Sequence, residues 1–389
     1  MSTLKLIQET IEKSGGEIFV VGGTVRDFVQ RIPPKDIDFL VRNLTLEQIA
    51  TSIKTIGKAD EVGKSFGVVK GTIEGKTFDF AIPRIKETKT GNAHTDFIIQ
   101  TDPFASVESD LSRRDFTINS LCLPLKDFIK GNLSDVIDPH NGLQDIKNKV
   151  LRTVGNPFDR FNEDGLRILR GLQFASRFDL RIDLETFNAM KALKDTLTTV
   201  SGERIFDEFK KAWAKGSSSK FITLLKETEI GETLFGKDFN PIEFNHSPFF
   251  SYEETILVGI VSFFLKGGDI KVLKPELKHH SILLLAKNVF FSKVSPFLYV
   301  REKKHLLHII FSVAIKIDSV TAEKIYKMLQ SPLHPKELLL GGGEISQMFQ
   351  VKGIQIGKIQ EALLEALWEG RVKNTKEDLI QYVHSLESY

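Results

Sequence analysis

The chain has 389 residues, 41% hydrophobic and 27% charged, enough for two or more domains with a sizeable core, and it carries no signature of disorder. Its 53 basic and 51 acidic residues argue against a non-specific nucleic-acid binder but allow one that grips a shaped RNA through a local basic surface. The single cysteine, Cys122, excludes a disulfide framework and a Cys-based zinc site, and fits a reducing compartment.

Met1 to Lys5 lacks the apolar core of a signal peptide. The longest apolar run, Ile256 to Leu265, is too short to span a bilayer. The expectation is a soluble, cytoplasmic protein with no membrane partner. Residues 3–14 read as a helix with Leu4, Ile7 and Ile11 on one face. Ile18-Phe19-Val20-Val21 reads as a buried strand punctuated by Gly22-Gly23, with a short helix from Val25 to Gln30. Lys35 to Val41 reads as a second strand, on which Asp36 and Asp38 share one face. Thr45 is an expected N-cap for a helix to Ile56. Phe66–Ile73 and Thr77–Ile82 read as strands joined across Glu74-Gly75-Lys76. Polar Ile85 to Asp96 reads as a mobile loop, Phe97-Ile98-Ile99 as a short strand, and Arg114 to Leu121 as the start of a helix. From about 160 the pattern turns helical: Glu163–Phe178, Leu184–Leu197 and Glu203–Ala214. Gly216-Ser217-Ser218-Ser219 reads as a flexible joint, and Gly341-Gly342-Gly343 as a break before a last helical module.

The chemistry concentrates in a few stretches. Two same-face aspartates, Asp36 and Asp38, suit two magnesium ions that clamp the attacking and leaving oxygens of a phosphoryl transfer. Asp79 adds a third carboxylate if its strand lies adjacent. Gly22 and Gly23 let the backbone approach a triphosphate, and Arg26 adds a charge-assisted hydrogen bond. Arg113-Arg114 place cations beside a nucleotide, with Asn119 in reach of a ribose. Asp164, Arg167 and Arg170, spaced by three, share a helix face. Such spacing often means a helix laced with ion pairs. The functional reading is sharper. Cytosine and adenine each present an exocyclic amine beside an acceptor ring nitrogen. A carboxylate next to a guanidinium therefore fits both, and mismatches uracil and guanine, where an unpaired buried group costs about 1–3 kcal/mol.

Gly22-Gly23-Thr24-Val25-Arg26-Asp27, Asp36-Ile37-Asp38, Arg113-Arg114-Asp115-Phe116-Thr117-Ile118-Asn119 and Glu163-Asp164-x-x-Arg167-x-x-Arg170 resemble, in order and spacing, the class II tRNA nucleotidyltransferases. These are the CCA-adding enzymes, which share a superfamily with bacterial poly(A) polymerases. Val62 to Val69 and Asp138-Pro139-x-Asn141-Gly142-x-x-Asp145 resemble them too. The likeness is dense over about 18–215 and returns in Gly353 to Ile359 and Glu369 to Asn374.

The resemblance implies an α+β protein. A nucleotidyltransferase head (1–145) of mixed sheet with helices comes first. An all-helical neck (146–215) carries the base-reading helix, and a helical body and tail (216–389) bind tRNA. It implies addition of C, C and A to the tRNA 3′ end from CTP and ATP, with release of pyrophosphate. Asp36 and Asp38 match the magnesium ligands, Gly23, Arg26 and Arg114 match nucleotide-binding residues, Asp164 and Arg167 match the base-reading pair, and Arg170 matches a further nucleotide-contacting arginine. Some relatives carry one more arginine where this chain has Gln173. Some also carry a C-terminal phosphohydrolase domain; with no adjacent His-Asp pair here, no such activity is expected, and His279-His280 reads as ordinary polar surface or core.

The alternatives are a CC-only or A-only enzyme, a poly(A) polymerase, and a non-catalytic RNA-binding protein on the same scaffold. The length of Ile85 to Asp96 favours adding A as well as C, the non-basic ending Ser385 to Tyr389 disfavours a poly(A) polymerase, and the intact aspartates disfavour a non-catalytic chain.

Overall fold

The computed structural model describes residues 2–34, 36–60, 67–89, 97–244, 251–274, 335–368 and 370–386, together with 283, 286, 287, 310, 313, 314, 322, 323, 325 and 326. They fall into two compact units, Met1–Leu234 and Phe235–Tyr389. Among the described residues no helix is long and apolar enough to cross a membrane.

The first unit opens with helix α1 (Thr3–Lys13), strand β1 (Glu17–Val21), helix α2 (Gly23–Val29) and strand β2 (Asp38–Arg42). Helix α3 (Leu46–Lys54) follows behind a Thr45/Gln48 capping box. Strands β3 (Lys58–Asp60), β4 (Val68–Ile73) and β5 (Lys76–Ala81) complete one side of a sheet, which β8 (Cys122–Pro124) closes on the other. The order is β3-β4-β5-β2-β1-β8. Only β2 and β5 run parallel; the other neighbours are antiparallel. The turn between β4 and β5 has two central residues of positive φ, Glu74 and Gly75, which matches the twist of the strands it joins.

Alternation along β2 and β5 sets the two faces of the sheet. Phe39 and Phe80 stack at 5.1 Å on one face, where a Cβ on Gly71 would meet both Phe80 and Ile53 of α3. Each ring so buried contributes about 1.5–3 kcal/mol. Leu40 on the opposite face joins Val21, Cys122, Val107 and Leu111, the last two from helix α4 (Val107–Leu111).

Two expectations for this part of the first unit change. Arg84–Lys89 is strand β6, paired antiparallel with β7 (Phe97–Thr101), so the mobile-loop reading fails for its first part; residues 90–96 lie outside the described residues. Ile85 is the one apolar residue of the strand, so no apolar alternation marks it, which is why composition misleads there. Arg114–Leu121 does not start an α-helix. Only Thr117–Asn119 makes a 3-10 turn, because Phe116 bridges to Thr153 and the Thr117 N–H donates to the Arg152 carbonyl instead.

Helices α5 (Leu125–Lys130) and α6 (Gly142–Lys147) follow β8. Asp138 receives the N–H groups of Gly142 and Leu143 at the start of α6, and Asp145 accepts from the Thr117 hydroxyl, so this motif braces the turn before β8. Short strands β9 (Val150–Leu151) and β10 (Arg181–Ile182) pair in parallel around α7 (Pro157–Glu163) and α8 (Leu166–Arg177). Then come α9 (Leu184–Ala192), α10 (Gly202–Lys215), α11 (Ser218–Glu227) and α12 (Ile230–Phe235). Helix α8 packs on α10 and α11. Gly171 permits close approach: a Cβ there would fall 2.9 Å from the Phe116 ring and closer still to Met190.

The expected flexible joint at Gly216–Ser219 is a tight corner. The Ser217 N–H donates to the Ser176 carbonyl, the Ser217 hydroxyl caps α11, and Ser218 is buried.

In the second unit, α13 (Tyr252–Phe264) begins at a Ser251/Glu254 capping box and buries Phe263 and Phe264 against Phe235 and Phe239. Helices α14 (Gly342–Phe349), α15 (Ile354–Trp368) and α16 (Lys376–Ser385) form the C-terminal module. The Asn374 side chain bridges the Leu339 N–H and the Glu337 carbonyl. His279-His280 lies outside the described residues.

Candidate active site

A cleft of about 520 Å³ opens on the Leu40 face of the sheet, within the size range of small-molecule sites. At its sheet end Asp38, the first residue of β2, is registered directly opposite Asp79 of β5. The strand expected from Lys35 begins instead at Asp38. Asp36 sits in the bend before it, exposed and outside the residues that line the cleft. The two ends of the Asp-Ile-Asp step are still tied together. The Thr24 hydroxyl of α2 donates to the Asp36 carbonyl at 3.2 Å and accepts the Asp38 N–H at 3.4 Å. Partial desolvation in the cleft, the neighbouring Asp79 and, least, Asp36 push the Asp38 carboxyl up, with Arg114 pulling the other way.

Carboxylates crowded so that one resists ionising are relieved by a cation, and oxygen donors suit a hard divalent metal. Among the described residues no three His, Cys, Asp or Glu side chains gather as a ready ligand set. Two strand carboxylates fit a metal that takes its remaining ligands from substrate phosphates and water.

Gly22 joins β1 to α2 with φ 67° and ψ −128°, a conformation that favours glycine. A Cβ there would also lie 2.5 Å from Nη1 of Arg114. The Arg114 guanidinium thus packs against the bare glycine. It lines the cleft, donates to Asp110 at 3.0 Å and reaches the Asn119 carbonyl at 3.4 Å. Arg26 is placed differently from the expectation. Its guanidinium is buried, donates to Asp27 at 2.7 and 2.9 Å and to the Asn119 side chain at 2.5 Å, and stacks 4.2 Å from the Phe178 ring centroid. Gly22, Gly23 and Arg26 are not among the residues lining the cleft.

The far wall comes from the helices. Glu163–Phe178 is two helices, broken at Asp164-Gly165, so Asp164 does not share the face of Arg167 and Arg170 through helical spacing. Asp164 has extended backbone and accepts the Leu166 N–H at 3.1 Å, as capping residues do. All three nonetheless line the cleft. Arg167 donates to Glu163 at 2.5 Å and to the Arg160 carbonyl at 3.2 Å. Arg170 donates to Asp115 at 2.9 Å and lies 3.8 Å from Glu208. Burial works to raise the Asp115 carboxyl, but Arg170, the Phe116 N–H and Arg167 together hold the group below the usual carboxylate range.

Residues 18–152 match the poly A polymerase head domain, and residues 179–241 match the probable RNA and SrmB-binding site of polymerase A. Nearly the whole chain is similar to proteins named CCA-adding enzyme. That of Streptococcus suis (strain 05ZYH33) is 29% identical over 98% of this chain and 95% of its own. That of Ligilactobacillus salivarius (strain UCC118) is 28% identical over the same shares. The chain belongs to the family of class II CCA-adding nucleotidyltransferases. The fold of this family is seen in the Bacillus stearothermophilus CCA-adding enzyme in complex with CTP. It is 21% identical, with a TM-score of 0.69 over 100% of this chain and 99% of that one. The Thermotoga maritima CCA-adding enzyme complexed with tRNA-CCA gives 0.68 at 20% identity, over 99% and 95%.

Of the candidate residues, the structure gathers Asp38, Arg114, Asp164, Arg167 and Arg170, which the family resemblance singles out, in one cleft with Asp79, which was read from its strand. Gln173 is buried away from it, and its Nε2 has no hydrogen-bond partner among the described residues. Sequence reasoning missed Arg204 and Glu208 of α10, both in the cleft wall. Their signal was present: Arg204, Glu208 and Lys211 form a charged stripe at helical spacing beside the apolar stripe of Ile205, Phe209 and Trp213.

Proposed function

We propose that the chain adds C, C and A to the 3′ end of tRNA from CTP and ATP, with release of pyrophosphate. The observation that carries this is one cleft holding the paired strand aspartates, Asp38 and Asp79, at the sheet and the acceptor-donor set, Asp164 and Arg167, on the helices. The first suits nucleotidyl transfer in general; the second suits the amine-bearing edges of C and A. Nearly full-length similarity to CCA-adding enzymes favours this over poly(A) synthesis.

In this reading Asp36, Asp38 and Asp79 are the catalytic carboxylates; Asp38 and Asp79 would hold magnesium from the sheet, with Asp36, tied to Asp38 through Thr24, completing the set. The metal, when bound, neutralises charge on the phosphates and promotes attack by the 3′-hydroxyl. The hydroxyl attacks the α-phosphorus, and the bond to pyrophosphate breaks. Arg114 is poised to meet the phosphates, and Gly22 lets it pack against the strand end, while Gly23 leaves room for the Arg26 guanidinium. Arg26 acts from behind, by holding Asn119 and through it the Arg114 loop. Asp164 accepts from the base amine and Arg167 donates to the ring nitrogen. Arg170, fixed by Asp115, completes the wall. Positioning and charge stabilisation supply most of the rate.

We take residues 1–145 as the catalytic head, 146–215 as the neck that reads the base, and 216–389 as the body and tail that bind tRNA. We take the reaction to run in the cytoplasm, where tRNA and nucleoside triphosphates meet. The test uses tRNA that ends before CCA, incubated with CTP alone, ATP alone, or both. Three residues added only with both nucleotides supports the proposal. Long A tails, a stop after two residues, or no product overturns it.

A further inference from the structure

In the reading above Asp164 reads the base, yet α8 holds its side chain by one bond alone, from the Leu166 N–H to Oδ1. It lies in the break between α7 and α8 with φ −152° and ψ 107°. A side chain there is free to turn unless something holds it. Arg204, in the first turn of α10, does so with two parallel hydrogen bonds: Nη2 to Oδ2 at 2.7 Å and Nη1 to Oδ1 at 3.3 Å. Both side chains are largely buried, at 8% and 13% exposed, and both line the cleft.

The count of acceptor positions is informative. A carboxylate offers about four lone-pair sites. The Leu166 N–H and Arg204 Nη1 use Oδ1, and Arg204 Nη2 uses one site of Oδ2. One acceptor position remains, on Oδ2. A cytosine or adenine amine brings one Watson–Crick hydrogen to it; a uracil or guanine carbonyl brings none.

We propose that Arg204 is the positioning residue for base selection. By gripping both oxygens of Asp164 it leaves a single acceptor, fixed in the cleft, for the amine of the incoming base. This rests on the base-reading role proposed above for Asp164. Lysine cannot reproduce the grip, because an ammonium is a point donor without the planar fork.

The test compares Arg204→Lys and Arg204→Gln with the unaltered enzyme and with Asp164→Ala, all full-length. Steady-state kcat and KM are measured for CTP, UTP, ATP and GTP on matched tRNA acceptors, with thermal melting as a check of folding. The Lys variant keeps charge and stem, so it carries the test should the Gln variant unfold. The expected result is a rise in KM for CTP of about tenfold, with kcat changed far less. The preference for CTP over UTP should fall by about tenfold or more, the equivalent of one lost hydrogen bond. Equal losses for all four nucleotides, with the preference intact, would show a purely structural arginine and overturn the inference. Unchanged discrimination in Asp164→Ala would instead overturn the base-reading role itself. Relaxed discrimination in Asp164→Ala with none in either Arg204 variant would overturn this inference alone.

Discussion

Asp38 and Asp79 stand directly opposite one another where β2 and β5 run in parallel, the one parallel pairing in the sheet. Their charges press on each other, and the Asp38 carboxyl is pushed up by partial desolvation in the cleft and by this neighbour. Asp38→Ala should abolish transfer, by about 1000-fold or more, while melting is unchanged or raised, because a repelling charge is removed. Asp79→Ala should also lower kcat, by a smaller factor. Single-turnover extension of tRNA checks both. Near-normal turnover in Asp38→Ala would remove it from the chemistry.

Gly22 meets two demands at once. Its φ of 67° disfavours any side chain, and a Cβ would press on Arg114 Nη1. Gly22→Ala should cost about 1–3 kcal/mol in stability. It should also raise KM for both nucleotides through the displaced Arg114, which lowers apparent affinity without touching the aspartates. Chemical denaturation and nucleotide titration read the two effects separately.

The Asp115–Arg170 pair gives a pH dependence with a definite sign. Asp115 binds its proton less readily in the folded protein than in the unfolded chain. The pair's contribution is therefore full above about pH 4, the unfolded carboxylate range. It drains away as pH falls through the depressed folded value. Asp115→Asn should lose about 2–3 kcal/mol at neutral pH, typical of a hydrogen bond to a charged group. That deficit should shrink on acidification below pH 4. Urea melts of both proteins from pH 7 to pH 3 measure it.

Cys122 is fully buried in β8 and its thiol is pushed up by burial. A thiol reagent should therefore label the native protein at least about 100-fold more slowly than the denatured chain. Fast labelling of folded enzyme, read by mass spectrometry, would contradict the packing of β8 against β1.

How far the sequence reached depended on the range of each signal. Asp38 and Asp79 were legible because β-branched and aromatic neighbours mark their strands, and alternation gives the face. The break at Asp164-Gly165 was not, because the apolar pattern of α7 runs on into α8 and a lone glycine is a weak stop signal. The Asp164–Arg204 contact joins residues 40 positions apart and depends on how α8 meets α10, which no local pattern encodes. Arg26 shows the converse. The motif located it, but its burial against Phe178 required α8 to be in place. The strand Arg84–Lys89 was hidden by its polar composition, which leaves no apolar alternation to mark it.

The most direct measurement of the central claim is the sequence of the extended 3′ ends. tRNA that ends before CCA is incubated with the enzyme and all four nucleoside triphosphates together, and the products are sequenced. The account predicts ends that read CCA and stop, with U and G nearly absent. Ends that read CC alone, runs of A, or mixed bases would contradict it.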